Sequence, residues 1–329
     1  MFRHSFAILS LWAIPPLLHA GPPTAFSVTD VNAVLRSPPP DAKPLAVRIP
    51  YGTLVEITRE VDVGGTVYVE VKEQGKQLLG WTAKANLGSA KEFDPAMRPD
   101  DRVSNDKLAP LDLRMASLYN TRGKYLKQQA IALGIQAAPL AAVLQVESGG
   151  RGFSNDGRMI IRFENHIFNK YWGKAHQVEF DKHFKFDSAS GWKLHEWRKD
   201  ETGPWEPCHK NQAQEWRTLL YAQSLDEVAG TLSASYGTGQ IMGFNHKAIG
   251  YPDAKSMFAK MNEGIKPQLD GMIAFIRGNK NCMKGLTEKD YVTFAKGYNG
   301  LGQAAAYGKR IEDAAASYAK MAKGKKEAD

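Results

Sequence analysis

Cysteine is scarce in this chain: 329 residues hold two, Cys208 and Cys282. That scarcity excludes a disulfide-stapled scaffold and any cysteine-rich zinc cluster. The two lie 74 residues apart, and an oxidising compartment lets them pair, so a Cys208 to Cys282 disulfide is expected as one alternative and two buried thiols as the other. Long apolar runs are also missing. The longest, Phe6 to Leu18, is too short for an ordinary membrane span, and Pro15 and Pro16 interrupt it. Paired metal-ligand spacing is absent as well: Cys208 and His209 stand near His176, His183 and His195 in no recognisable order, so neither a metal nor a cofactor is expected. No internal repeat marks a solenoid.

What the sequence does have begins at its amino end. Arg3 and His4 precede the apolar run, and Leu-His-Ala at 18–20 follows it, the charge, core and small-residue order of a secretory signal peptide. Residues 1–20 are therefore expected to be removed and the protein to work in the periplasm or outside the cell. The remainder is longer than one compact core usually needs, which predicts two domains. The whole chain carries a net charge of +8. Residues 1–20 contribute Arg3 and no acid, leaving +7, an excess that favours polyanions. Export directs that charge to anionic cell wall or lipid headgroups rather than to nucleic acid.

Residues 21–90 read as a small all-β domain. Short β-branched runs at 28–31, 45–49, 53–57, 66–71 and 78–81 are punctuated by Pro38-Pro-Pro40, Tyr51-Gly52 and Gly64-Gly65. Pro50-Tyr-Gly-Thr-Leu-Val-Glu-Ile57 and Gly80-Trp-Thr-Ala-Lys-Ala-Asn-Leu87 resemble the bacterial SH3-like domain, which implies a β-barrel that binds wall peptides or packs as a spacer. Residues 91–110, with Asp94-Pro95 and Arg98-Pro-Asp-Asp101, read as a linker; almost no apolar periodicity runs from 88 onward. From 111 to 329 the pattern turns helical, with helices expected over 111–133, 212–234, 254–278, 287–297 and 308–323 and one strand at 159–163. The segment between 170 and 210 holds Trp172, Trp192, Trp197 and Trp205, for which packing is the commoner use than sugar stacking.

One segment concentrates chemical information: Ala137-Ala-Pro-Leu-Ala-Ala-Val-Leu-Gln-Val-Glu-Ser-Gly-Gly-Arg151. Pro139 suits a helix start, Gly149 and Gly150 suit its end, and Leu140, Val143, Leu144 and Glu147 share one face. Glu147 thus sits among apolar neighbours in a last turn, where desolvation and the helix dipole both disfavour ionisation. A carboxyl that keeps its proton near neutral pH is the requirement for a general acid. Glu164, 17 residues on, is the candidate second carboxylate across a cleft, with an ion pair to Arg162 or Arg158 as the alternative. Ser148, Tyr236, Gln240, Tyr298 and Asn299 are candidate substrate contacts: Gln240 as donor and acceptor for sugar groups, Tyr236 as an aromatic surface, Tyr298 as a partner of the acid and Asn299 as a sugar ligand.

Val146-Glu-Ser-Gly-Gly-Arg-Gly-Phe153, Arg162-Phe-Glu-Asn-His-Ile-Phe168, Ser235-Tyr-Gly-Thr-Gly-Gln-Ile-Met-Gly-Phe-Asn-His246 and Tyr298-Asn-Gly300, in this order, resemble the N-acetylmuramidases of phage endolysins and secreted bacterial muramidases. The resemblance runs from about Leu126 to Ala319. It implies a mainly α, lysozyme-like domain with a small β-hairpin that cleaves between N-acetylmuramic acid and N-acetylglucosamine of peptidoglycan, without a cofactor and with Glu147 as general acid. A lytic transglycosylase, or a wall-binding protein without activity, are the alternatives. Where the family has Trp-Gly-Leu-Phe-Gln, this chain has Tyr236-Gly-Thr-Gly-Gln240, a departure that bears on the shape of the cleft.

Overall fold

The computed structural model describes residues 26–28, 35–40, 43–45, 49, 53–73, 78–104, 107–154 and 156–325. The signal-peptide segment 1–20 lies outside the described residues.

The N-terminal part is one antiparallel sheet in the order β4-β3-β2-β1-β5, formed by β1 Phe26–Val28, β2 Leu54–Val63, β3 Thr66–Glu73, β4 Leu78–Ala83 and β5 Leu87–Ser89. Gly64 and Gly65 take positive φ in the two-residue turn joining β2 to β3, the left-handed geometry that tight hairpins need. Val55, Val69, Val71 and Leu87 are buried together with Ile49 as its small core.

The segment expected to be a linker is packed instead. Lys91 donates its backbone N–H to Ser89 and Ala96 its own to Asp94 in successive 3-10 turns, while Phe93, Met97 and Val103 are buried. Asn120 closes the segment onto the helical part, accepting from the Val103 N–H at 2.8 Å and donating to its carbonyl at 2.9 Å. Apolar residues spaced four and six apart in irregular turns match neither strand nor helix period, so the packing leaves no periodic trace.

Helices α1 Pro110–Leu133, α2 Ala137–Ser148 and α11 Ala304–Ala322 pack against one another. With α8 Ile265–Gly278, α9 Lys280–Glu288 and α10 Tyr291–Tyr298 they enclose the larger core, including Leu140, Val143, Leu144, Met272 and Tyr318. Every residue of α2 from Ala137 to Leu144 is buried, so this short helix runs through the middle rather than along a surface. Among the described residues no single helix is long and apolar enough to cross a membrane.

A second core lies beneath a three-stranded sheet in the order β11-β10-β6, with β6 Ile161–Phe163, β10 Ala234–Tyr236 and β11 Ile241–Met242. Around it stand α3 Asn165–Tyr171, α4 Gln177–His183, α5 Gln212–Leu225, α6 Glu227–Leu232 and α7 Ala254–Met261. The expected helix 212–234 is two helices because Asp226 caps α6, accepting the Ala229 N–H at 2.8 Å. The expected helix 254–278 likewise breaks between Met261 and Ile265. Within the Trp-rich stretch a further small sheet, β7 Phe184–Lys185, β8 Glu196–Trp197 and β9 Glu206–Pro207, packs Phe184 and Trp197 inward. Trp172 and Trp197 are core residues, Trp192 is half exposed, and Trp205 lies between Lys185 and Arg198.

The cysteines do not pair. Cys208 is buried in the second core, its thiol 3.4 Å from Asn165 Oδ1, and Cys282 is buried in the first. Burial pushes both thiols up to about 12, leaving them protonated and unreactive at physiological pH.

Candidate active site

Glu147 sits at the carboxyl end of α2. Gly149 ends the helix in the left-handed conformation at φ 64, and its N–H and that of Gly150 close on the Gln145 and Leu144 carbonyls at 3.1 and 2.9 Å. Apolar packing along α2 brings Glu147 to the edge of the core, partly open to solvent. Burial pushes its carboxyl up to about 7; opposing this, Asn299 and the positive charge of Arg310 favour the ionised form. Asn299 Nδ2 donates to Glu147 Oε1 at 2.9 Å.

Tyr298 does not play the part expected of it. Its hydroxyl donates to the Gly239 carbonyl at 2.6 Å, and its ring stacks on Phe294. Asn299 takes the role expected of Tyr298 and reaches Glu147, while Tyr298 fixes the hairpin beside it. Adjacent residues at a helix end point about 100° apart, so one alone faces Glu147.

The hairpin 237–240 forms the neighbouring wall. Ser148 Oγ donates to the Thr238 carbonyl at 2.9 Å, tying the residue after Glu147 to this turn. Thr238 N–H donates to Gln268 Oε1 at 2.8 Å, and Gln268 Nε2 donates to the Met261 carbonyl at 2.9 Å. A Cβ at Gly239 would stand 2.9 Å from Met272 Cβ and 3.2 Å from the Tyr298 hydroxyl, closer than atoms pack. The close approach of α8 and Tyr298 to the turn therefore suits glycine at 239. Gln240, at φ 47, accepts from Ser235 Oγ at 2.9 Å and donates to the Gly237 carbonyl at 2.7 Å, so its amide braces the hairpin. Tyr236 offers no sugar platform: it is fully buried, donates its hydroxyl to the Thr231 carbonyl at 2.7 Å and packs edge-on to Phe258. Strand alternation puts Tyr236 on the inward face, a direction that residue type alone does not reveal.

Glu164 follows β6, next to the start of β10. Its N–H bonds the Ser233 carbonyl at the far end of β10 from Thr238, and the intervening three-residue strand spans about 10 Å. Glu164 Oε1 accepts from Arg162 Nε at 2.9 Å, the ion pair expected as the alternative, and Oε2 faces His166 and His195. Those three residues offer ligand atoms within 4.8 Å of one another, the arrangement that a metal ion requires.

Sequence reading missed the contact that joins the site to the N-terminal half. Glu92 Oε2 accepts the Gly152 and Phe153 N–H groups at 2.9 and 2.8 Å, and Oε1 meets Arg122, which also donates to the Gly150 carbonyl. Burial raises the Glu92 carboxyl even against Arg122 and these N–H donors. A cavity of about 390 Å³, lined by Leu87, Glu92, Arg122 and Gly150 among others, follows this seam rather than the Glu147 site.

Because Asn299 donates to the charged form, Asn299→Ala should raise the Glu147 pKa further. The alkaline limb of the pH–rate profile, expected near pH 7 in the unaltered protein, should then move to higher pH; an unmoved limb would separate Asn299 from the acid.

A buried helix that ends in a carboxyl held near neutrality beside a tight hairpin is an arrangement suited to protonating a leaving group, and the chain is a glycoside hydrolase. It belongs to the N-acetylmuramidase family, whose model matches residues 136–319. Among solved structures it is similar to a Burkholderia AP3 phage endolysin, at 27% identity and a TM-score of 0.48, covering 60% of this chain and 71% of that one. No curated protein sequence matches it significantly.

Proposed function

We propose that this muramidase cleaves peptidoglycan between N-acetylmuramic acid and N-acetylglucosamine with Glu147 as general acid. The supporting observation is the Glu147 carboxyl at about 7: a large fraction is protonated at neutral pH, yet its pKa is low enough to give up the proton. Transfer to the glycosidic oxygen leaves a carboxylate that Asn299 Nδ2–H and the charge of Arg310 stabilise. That carboxylate, on the leaving-group side, then takes the proton of a water attacking from the same face. Glu164, turned to Arg162 and the histidines, has no part in this scheme.

A single carboxyl at the site also suits the alternative in which the sugar's own hydroxyl attacks. Mass spectrometry of digested sacculi discriminates the two. Reducing N-acetylmuramic acid ends are expected; anhydro-muramic ends would make the enzyme a lytic transglycosylase.

The N-terminal sheet is proposed to be SH3-like, supported by its antiparallel strand order and by the Gly80-Trp81 and Leu87 positions. Its attachment through Glu92 favours a module that orients the catalytic half on the wall over a detached spacer. The charge of the chain and the sequence of residues 1–20 support action on anionic wall outside the cytoplasm.

A further inference from the structure

Five polar side chains, Glu164, His166, His195, His209 and Glu215, converge beside β6. His195, whose side chain is fully buried, points Nε2 at the Gly191 carbonyl at 2.7 Å. A carbonyl only accepts, so Nε2 carries the hydrogen and Nδ1 a lone pair in the neutral ring. That Nδ1 lies 3.3 Å from Glu164 Oε2 and 3.1 Å from His209 Nε2. His209 Nδ1 in turn meets Glu215 Oε1 at 2.8 Å, while Glu215 Oε2 is taken by the Phe163 N–H.

These contacts leave a shortfall of positive charge. The links Gly191 to His195, His195 to His209 and His209 to Glu215 need three hydrogens, and two neutral imidazoles supply two. Glu164 Oε2 and His166 Nδ1 are both buried without a hydrogen-bond partner and stand 3.6 Å apart. Electron pairs thus face one another around one point with nothing between them, a costly arrangement unless a cation occupies it.

We propose that Glu164, His166 and His195 bind one divalent transition-metal ion, zinc by the chemistry of the donors, with His209 beside them as a further imidazole. Separations of 3.3 and 3.6 Å between donor atoms are close to the edge of about 3.3 Å that tetrahedral zinc at 2.0–2.1 Å imposes. Two imidazoles and a carboxylate suit zinc and its first-row neighbours, and disfavour calcium and magnesium, which take oxygen ligands. Outer contacts are in place as well. The Gly191 carbonyl fixes the His195 tautomer, Arg162 holds Glu164 Oε1 so that Oε2 alone is offered, and Glu215 orients His209. The ion would clip β6 and α3 to the loop that leads into β8, a structural role independent of Glu147.

Metal content is the direct test. Untagged full-length protein dialysed against zinc and then metal-free buffer should retain one zinc per chain by elemental mass spectrometry. Zinc, and neither calcium nor magnesium, should raise its Tm by several degrees. Cobalt(II) should give the visible bands of a tetrahedral N/O site, which His166→Gln should weaken or abolish and Glu147→Gln should leave intact. His166 is partly exposed, so its substitution is the milder one for folding; His195→Asn serves as a second variant. Zinc far below one per chain, with no Tm shift and no cobalt bands in the unaltered protein, would overturn the proposal and leave an imidazolium as the cation of the cluster. Metal binding that survives both His166→Gln and His195→Asn would overturn it too.

Discussion

Glu147→Gln is expected to lower peptidoglycan hydrolysis by at least about a thousandfold, within the range that general acid catalysis contributes. The amide keeps the shape of the side chain and can still meet Asn299, but it has no proton of suitable acidity to give. Turbidity loss of sacculi suspensions measures the effect, and a decrease of less than about tenfold would remove Glu147 from the chemistry. The same substitution should stabilise the fold. In the native state the carboxyl titrates near 7 against an ordinary value of 4.5. The folded protein therefore holds this proton more tightly than the unfolded chain, and stability falls as pH rises from 4.5 to 7. An uncharged amide at this position lacks that penalty. The variant should gain on the order of 2 kcal/mol at pH 8, after allowance for the open side of the carboxyl, and almost nothing at pH 4. Urea denaturation at the two pH values reads the difference; equal gains at both would mean that the charge of Glu147 costs the fold nothing.

Arg122→Ala should carry the largest stability cost, about 3–5 kcal/mol at most, because it strands a largely buried carboxylate rather than merely deleting a contact. Arg122 is 2% exposed and meets both Glu92 and the Gly150 carbonyl. Without it, the two N–H groups of Gly152 and Phe153 remain the principal partners of Glu92. Burial already raises the Glu92 carboxyl, and losing the guanidinium raises it more, so the cost should be greater at pH 8 than at pH 5. Adding Glu92→Gln to Arg122→Ala should recover part of the loss. A single variant with an unchanged denaturation midpoint would show that the pair is solvated.

How much of this was legible in the sequence depended on whether a residue's role is local. Helix α2 could be placed because Pro139, the apolar face and Gly149-Gly150 all act within a few residues of one another. Glu147 falls on that apolar face for the same reason, and the motif order around it points to the family. Helix α9 was missed: its opening signal is a single residue, Asn279, whose side chain accepts from the Asn281 and Cys282 N–H groups. The strands β7 to β9, two residues each, are too short to show alternation. Tyr236 and Gln240 turn their side chains into the fold rather than toward a ligand, since residue type says what a side chain can bond and not which way the backbone turns it. Glu92 meets Arg122 and Gly152 at 30 and 60 positions' remove, and His195 meets His209 at 14; such pairings depend on the tertiary fold and leave no spacing to read.

The Glu92 contacts also bear on where the functional unit of this protein begins. The family match starts at residue 136, yet the backbone of Gly152 and Phe153, just beyond the helix that carries Glu147, is held by a carboxylate 60 positions upstream. Gene shuffling that exchanged only the matched stretch would leave that backbone without its anchor. The heritable piece is longer than the recognisable one, and its boundary falls at or before Glu92, at the start of what first reads as a linker.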